Sequence, residues 1–296
     1  NMGFKNDFNV YLKNLISSGK NSSDYKSSAQ IELVSLFENN LSIPLTKENG
    51  DYLSLLTPQA SLRINPSDMK NYANADKNID IGNVFNTNRL GISDTFEAGK
   101  SLTVGLSYSK EKKEIDEINK YFEFKLATVL RDKEEIFIPK KSTINKKNSN
   151  LFGSIKSDFS DNLNLNYNFA LDNNYEKFEY NNLETIISFD NFITNFSFVE
   201  ENGEMGDSNV VEGKISYIFD DNNSFSFSSR RNRKINLTEY YNLVYEYKND
   251  CLTAGIKYKK SYYEDRDLKP SEDLLFTVTL YPLTSFDQNA SGLLGN

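Results

Sequence analysis

An all-β chain, folded as an antiparallel transmembrane β-barrel, is what this sequence predicts, and three observations predict it. Apolar residues recur at every second position in one stretch after another. Most of these stretches exceed the ~5–6 residues of an ordinary soluble strand. Tight turns tend to alternate with longer connections between them, as they do in outer-membrane barrels.

The alternation runs from end to end. Phe8, Val10 and Leu12 alternate with Asn9, Tyr11 and Lys13, and Ala60, Leu62 and Ile64 with Ser61 and Arg63. Leu102, Val104, Leu106 and Tyr108 oppose Thr103, Gly105 and Ser107; Phe122, Phe124 and Leu126 oppose Glu123 and Lys125. In "NLNLNYNFALD", Leu163, Leu165, Tyr167, Phe169 and Leu171 are separated by Asn164, Asn166, Asn168 and Ala170. A period of two gives a strand two unlike faces. About fourteen such strands are expected, near 5–15, 27–38, 53–64, 96–109, 120–132, 149–159, 162–172, 175–189, 192–201, 208–219, 223–232, 235–247, 251–262 and 273–281. Lys248–Asp250 and Asp220–Asn222 read as tight turns, and Asn65–Thr95 and Asp132–Asn148 as long loops. Glu38–Tyr52 reads as long where a short turn is due, and Asp172–Tyr175 as short where a long one is due. Pro58 has no amide donor and is expected at a strand start or bulge. "KKEIDEINKYF" is the nearest approach to an amphipathic helix.

Composition narrows the function. The 296 residues carry 34 Lys+Arg against 42 Asp+Glu, a net charge of -8, so the basic footprint of sequence-independent nucleic-acid binding is missing. Mean hydropathy is -0.59, and no apolar run approaches the ~18 residues of a membrane helix. Alternating strands escape such averaging. There is no His and one Cys, which removes the usual general base, the Ser-His-Asp triad and Cys-rich metal sites. Carboxylate pairs such as Asp220–Asp221 read as turn chemistry. No enzyme, cofactor or metal site is expected.

The apolar face seeks either lipid or a protein core, and a soluble β-sandwich, β-helix or solenoid is the alternative. Long strands, an opposite face rich in Asn, Ser, Lys and Glu, and aromatics near strand ends ("EYYNLVYEY", "KKSYYED") favour lipid. No short fixed repeat supports a β-helix.

Two stretches go further. Asn83 to Leu106 reads "NVFNTNRLGISDTFEAGKSLTVGL"; Leu243 to Leu280 reads "LVYEYKNDCLTAGIKYKKSYYEDRDLKPSEDLLFTVTL". The first resembles a segment of LptD, the LPS-assembly outer-membrane family also known for organic-solvent tolerance. Asn83, Phe85, Asn88, Arg89, Asp94, Glu97, Gly99, Gly105 and Leu106 fall on that pattern, whereas Ile92 and Thr95 depart from it. The second resembles the family's C-terminal end at Asp250, Cys251, Asp267, Pro270 and Ser271.

The resemblance implies a barrel of about 26 strands. Residues 1–283 would form its C-terminal part and 284–296 a tail, with a periplasmic domain and the first strands lying upstream. It implies an outer-membrane translocon of a Gram-negative bacterium that inserts lipopolysaccharide (LPS) into the outer leaflet through a lateral gate. Its partners would be LPS, a plug lipoprotein and a periplasmic LPS-bridge protein. Another outer-membrane barrel, a porin or receptor, is the alternative.

The resemblance also suggests particular roles. Cys251 would pair with a cysteine of the upstream periplasmic domain; a free thiol is the alternative. The last strand, with Leu274, Phe276, Val278 and Leu280, would form one side of the gate; ordinary closure is the alternative. The loop holding Asn83, Phe85, Asn88, Arg89, Asp94, Glu97 and Gly99 would be an ordered lid or fold into the lumen. Its alternative is a solvated loop with local pairs of Arg89 to Asp94 or Glu97. "SRRNRK" (Ser229–Lys234) is expected as an extracellular turn able to touch LPS phosphates, or else simply solvated.

Overall fold

The computed structural model describes residues 3–21, 28, 30–113, 118–160, 162–262, 269–281 and 284–289. Sixteen strands are present: β1 (Lys5–Ser17), β2 (Gln30–Ser42), β3 (Leu45–Asn49), β4 (Tyr52–Asn65), β5 (Gly99–Lys113), β6 (Ile118–Arg131), β7 (Leu151–Ser160), β8 (Leu163–Leu171), β9 (Phe178–Phe189), β10 (Phe192–Glu201), β11 (Ser208–Ile218), β12 (Asn223–Asn232), β13 (Leu237–Lys248), β14 (Leu252–Ser261), β15 (Ser271–Leu280) and β16 (Thr284–Asn289). One 3-10 turn, Lys140–Ser142, is the only helical element among the described residues. The chain divides into two compact units. The first is Asn1–Ser157 with Asn168–Tyr180 and Asn202–Gly206; the second is Asp158–Tyr167 with Asn181–Glu201 and Asp207–Asn296.

In the first unit the ladders β1–β2, β2–β4, β4–β5, β5–β6 and β6–β7 are all antiparallel. β3 was not expected; the sequence there reads as part of a long loop. It continues β2 along β4 in unchanged register, since Ser42 faces Gln59 and Leu45 faces Leu56. The break between them falls where Pro44 and Pro58 meet. Each lacks an amide donor, so the ladder loses rungs at this point. Only Ile43 N–H to the Pro58 carbonyl, at 3.1 Å, bridges it. Pro58 thus sits inside β4, opposite an interruption.

Register separates the two faces. Phe8, Val10, Leu12 and Ile16 share a face with Ile31, Leu33 and Phe37, and all seven are exposed. The row Leu62–Leu102–Leu130 continues that face and is exposed as well. The opposite face carries Glu38, Arg63, Ser61, Ser101 and Thr103, all buried. Loops, rather than water, cover it. The segments 66–98 and 132–150 pack there, and the main apolar cluster lies between them and the strands, including Ile79, Val84, Val129, Ile138, Ile144 and Phe152.

In the second unit β10 to β16 pair antiparallel in sequence order. One face presents Ile215, Phe227, Leu243, Ile256 and Phe276, all exposed. The other presents Ser216, Ser226, Val244, Gly255 and Thr277 at the alternate rungs. The turns 190–191, 219–222 and 249–251 are short and lie at one end of these strands. In the turn after β11, the Asp220 carboxylate accepts the Asn223 side-chain amide and the Asn222 and Asn223 N–H groups, which holds its pKa below the ordinary value.

β16 occupies residues expected as a tail. β15, expected as the last strand, is therefore hydrogen-bonded on both edges: over Ser271–Leu280 to β14 and over Leu275–Leu280 to β16. Asp267 and the residues beyond Asn289 lie outside the described residues.

Candidate functional site

The segment 66–98 folds back onto the buried face of β2, β4, β5 and β6, all within the first unit. Three features shape it locally. Asp80 accepts the Gly82 and Asn83 N–H groups at 2.7 and 3.0 Å, which starts a turn. The Asn88 carbonyl and side chain accept the N–H groups of Gly91 (3.0 Å) and Ile92 (3.2 Å), closing a second one. Gly99 then enters β5 at φ +81, where a Cβ would stand 3.0 Å from Arg131 Nη2.

At the centre is Glu97. Arg89 grips it with two bonds, Nε to Oε2 at 2.7 Å and Nη2 to Oε1 at 2.6 Å. Arg131 reaches Oε1 from β6 and also donates to the Ala98 carbonyl. Arg63, from β4, stands 3.9 Å from Oε2 and donates to the Thr87 carbonyl. Glu38, from β2, lies 3.7 Å from Arg63 Nε and accepts the Thr87 hydroxyl at 3.0 Å. Arg89 also donates to Thr103 Oγ1 (2.8 Å) and Ser101 Oγ (3.0 Å) on β5. The Arg89 and Arg131 side chains are 1% exposed and that of Glu97 8%. Charges this deep persist only when paired and hydrogen-bonded. The cluster therefore ties the loop to four strands, β2, β4, β5 and β6, and the three Arg against two Glu leave it one charge positive.

Burial raises the Glu97 carboxyl pKa, but Arg89, Arg131 and Arg63 outweigh it and hold the group at about 2, against an ordinary 4.5. A depressed carboxyl pKa contributes stability above the unfolded value and loses it as pH falls through the folded one. The Glu97 contribution to the thermal stability of the full-length protein is thus expected to be fully present, and independent of pH, from neutral pH down to 4.5. Between 4.5 and about 2 this contribution disappears. A titration by thermal unfolding, wild type against Glu97→Gln, isolates it as the difference between the two curves.

Of the two partners expected for Arg89, Glu97 is the one found. Asp94 binds Lys70 (3.0 Å) and Tyr72 (2.6 Å) instead. Burial opposes its charge, and those two hydrogen bonds hold its pKa below the ordinary value. Phe85 lies over Gly105 of β5: a Cβ there would meet Phe85 Cζ and the Leu126 carbonyl, each at 2.8 Å. Gly105→Ala should cost about 1–3 kcal/mol by overpacking. Phe85→Leu should recover part of this in chemical denaturation, the rigid Leu126 carbonyl retaining the remainder.

β1 is tied in too. Lys13 donates to the Thr95 carbonyl at 3.1 Å and stands 4.0 Å over the Phe96 ring. The second loop, 132–150, binds the first through Tyr72 N–H to the Phe137 carbonyl (2.9 Å) and Lys140 N–H to the Ala73 carbonyl (3.1 Å). The sequence reading missed Glu38, Arg63, Arg131, Ser101 and Thr103, because polar residues at alternate strand positions read as a solvated face. The apolar "IFIP" inside an otherwise polar loop (Ile136–Pro139) was the available signal for the second loop.

The other expected residues lie in the second unit. Cys251 is exposed, its thiol in no disulfide within this chain, in the turn between β13 and β14. Phe276, Val278 and Leu280 lie on the exposed face of β15, and Leu274, on the same face, is half-buried. "SRRNRK" is mostly strand: Ser229–Asn232 belong to β12. Its cations meet carboxylates and amides, Arg230 with Glu239 at 2.8 Å, Arg231 with Asn236, and Lys234 with Asp207.

The family described as LptD, LPS transport system D, matches the chain over residues 13–210. The chain belongs to this family. The match covers the loop holding Glu97 and both strands flanking it. No curated protein matches the chain. Among solved structures, variants of the Rh. blastica porin align over 97% of this chain. One shares 8% identity with 94% of the porin covered and a TM-score of 0.37; another shares 9% with the same coverage and score. A triple mutant of the Rhodopseudomonas blastica porin gives 8% identity, 93% coverage and a TM-score of 0.36. This family of LPS transport proteins is a transport family, not an enzyme family.

Proposed function

We propose that the chain is the C-terminal part of an outer-membrane barrel of about 26 strands that inserts LPS into the outer leaflet of a Gram-negative outer membrane. Membership of the LptD family carries this reading. The exposed apolar rows support it: water disfavours such a surface and a bilayer accepts it. Residues 1–283 and the strand after them would complete a closed wall with strands supplied upstream. The short-turn end would face the periplasm and the long-loop end the exterior. The two packed loops would then narrow the lumen at the outer end, leaving LPS sugar to pass beside them.

LPS would leave through a lateral gate between the first and last strands of the whole barrel. Among the described residues β16 pairs with β15 on one edge, and a seam on its other edge with few ladder hydrogen bonds would open at lower cost. Leu274, Phe276, Val278 and Leu280 would flank this seam on its lipid side. A plug lipoprotein would fill the lumen, and a periplasmic bridge protein would deliver LPS to the upstream domain. Cys251, at the periplasmic end, would pair with a cysteine of that domain.

Depletion of the protein should remove LPS from the cell surface; undiminished surface LPS would refute the transport reading. Cysteine crosslinks between β16 and the first strand should block export, and normal export through a crosslinked seam would refute the gate. Electrophoresis of the full-length protein with and without reductant tests Cys251, an unchanged mobility counting against the disulfide.

A further inference from the structure

We infer that the outer face of β3, β4 and β5 holds a binding site for the headgroup of an anionic phospholipid. The inference rests on the membrane reading above, and on one row of side chains across these strands. Lys47 of β3 lies directly opposite Ser54 of β4, and Ser54 lies directly opposite Lys110 of β5. Opposed residues on one face have Cβ atoms ~5 Å apart, so a lysine side chain starts on either side of one hydroxyl. That spacing matches a phosphate, which can accept from all three.

The next row along the strands is Leu45–Leu56–Tyr108, on the same face. From there the face continues apolar towards Leu62 and Leu102. Eight residues separate Leu62 from Ser54, a rise of ~26 Å at the strand repeat. The Lys–Ser–Lys row therefore falls at the edge of an apolar band of membrane height. Acyl chains would lie on the apolar rows while the phosphate meets the cations.

The site is concave. A pocket of about 480 Å³ is lined by these rows, and no carboxylate is among its lining residues. The proline-broken rung between β2 and β3 lies just above it. Aromatics hold Lys110 in place: it stands 4.2 Å over the Tyr52 ring and 5.3 Å over that of Tyr121. The Tyr108 hydroxyl donates to Ser54 Oγ at 3.5 Å, so the Ser54 hydrogen is directed to another acceptor. Lysines beside interfacial tyrosines are the pattern by which proteins meet charged headgroups.

The test uses the full-length protein in detergent micelles, with native mass spectrometry of retained lipid. Phosphatidylglycerol and phosphatidylcholine of identical chains are offered in turn. Two lysines should favour the anionic lipid by about 30-fold, and Lys47→Gln with Lys110→Gln should bring the two lipids to parity. Ser54→Glu, which sets an anion between the lysines, should do the same. Lys257→Gln with Lys259→Gln, in β14 and on the face that alternates with Ile256, should leave the preference intact. Equal retention by the wild type overturns the site, as does an undiminished preference in the Lys47/Lys110 variant. Full displacement by inorganic phosphate would make it a free-anion site and equally overturns the lipid assignment. A protein that stays soluble without detergent would instead overturn the membrane reading itself.

Discussion

Glu97→Ala is expected to destabilise the full-length protein by about 3–5 kcal/mol, the usual consequence of removing one partner from a buried ion cluster. The substitution leaves Arg89, Arg131 and Arg63 facing a single carboxylate, Glu38, with no solvent to take up the charge. It also removes the two-pronged contact that fixes Arg89, and with it the register of the loop against Ser101 and Thr103. The loss should be concentrated in the segment 66–98. Limited proteolysis should cut there in the variant and not in the wild type, while the strands stay protected. Asp94→Asn is the contrast. Its partner Lys70 is 36% exposed, so about 1 kcal/mol or less is expected. Equal effects from the two substitutions would show that the cluster does not hold the loop.

Phe227→Arg is expected to cost about 2–4 kcal/mol if the exposed face meets lipid, because an arginine near the bilayer midplane cannot be solvated there. Phe227 is central in β12, flanked on its face by Ile215 and Leu243. Its neighbour Ser226 points to the other face, between Ser216 and Val244. Ser226→Arg should cost well under half as much. Reversible urea unfolding of the full-length protein in lipid vesicles measures both. If the two substitutions cost the same, the face assignment fails. If Ser226→Arg costs more, the apolar face is not the lipid face.

The strands were legible because their signal is local. Fourteen expected segments correspond to fourteen observed strands, with edges moved by a few residues. The expected span 96–109 became Gly99–Lys113 because Phe96, apolar by type, is spent on packing the loop. The two missed strands are those where periodicity is short or broken. β3 is five residues set off by Pro44, and β16 is six residues of mixed character. Both are held by a neighbouring strand rather than by their own pattern.

Of the loop site, the sequence by itself determined the residue set Asn83, Phe85, Asn88, Arg89, Asp94, Glu97 and Gly99, through its likeness to LptD, together with the candidate partners of Arg89. Alternation determined which side chains share a face. Only the tertiary structure decided that the polar face of β2, β4, β5 and β6 is dry and packed. An arginine at an alternate strand position looks the same whether it meets water or a buried carboxylate. Its partners here come from strands and loops up to 34 positions away in the chain, as Glu97 is from both Arg63 and Arg131. Periodicity reports only what a residue's immediate neighbours require, whereas the burial of a charge depends on which distant groups fold over it.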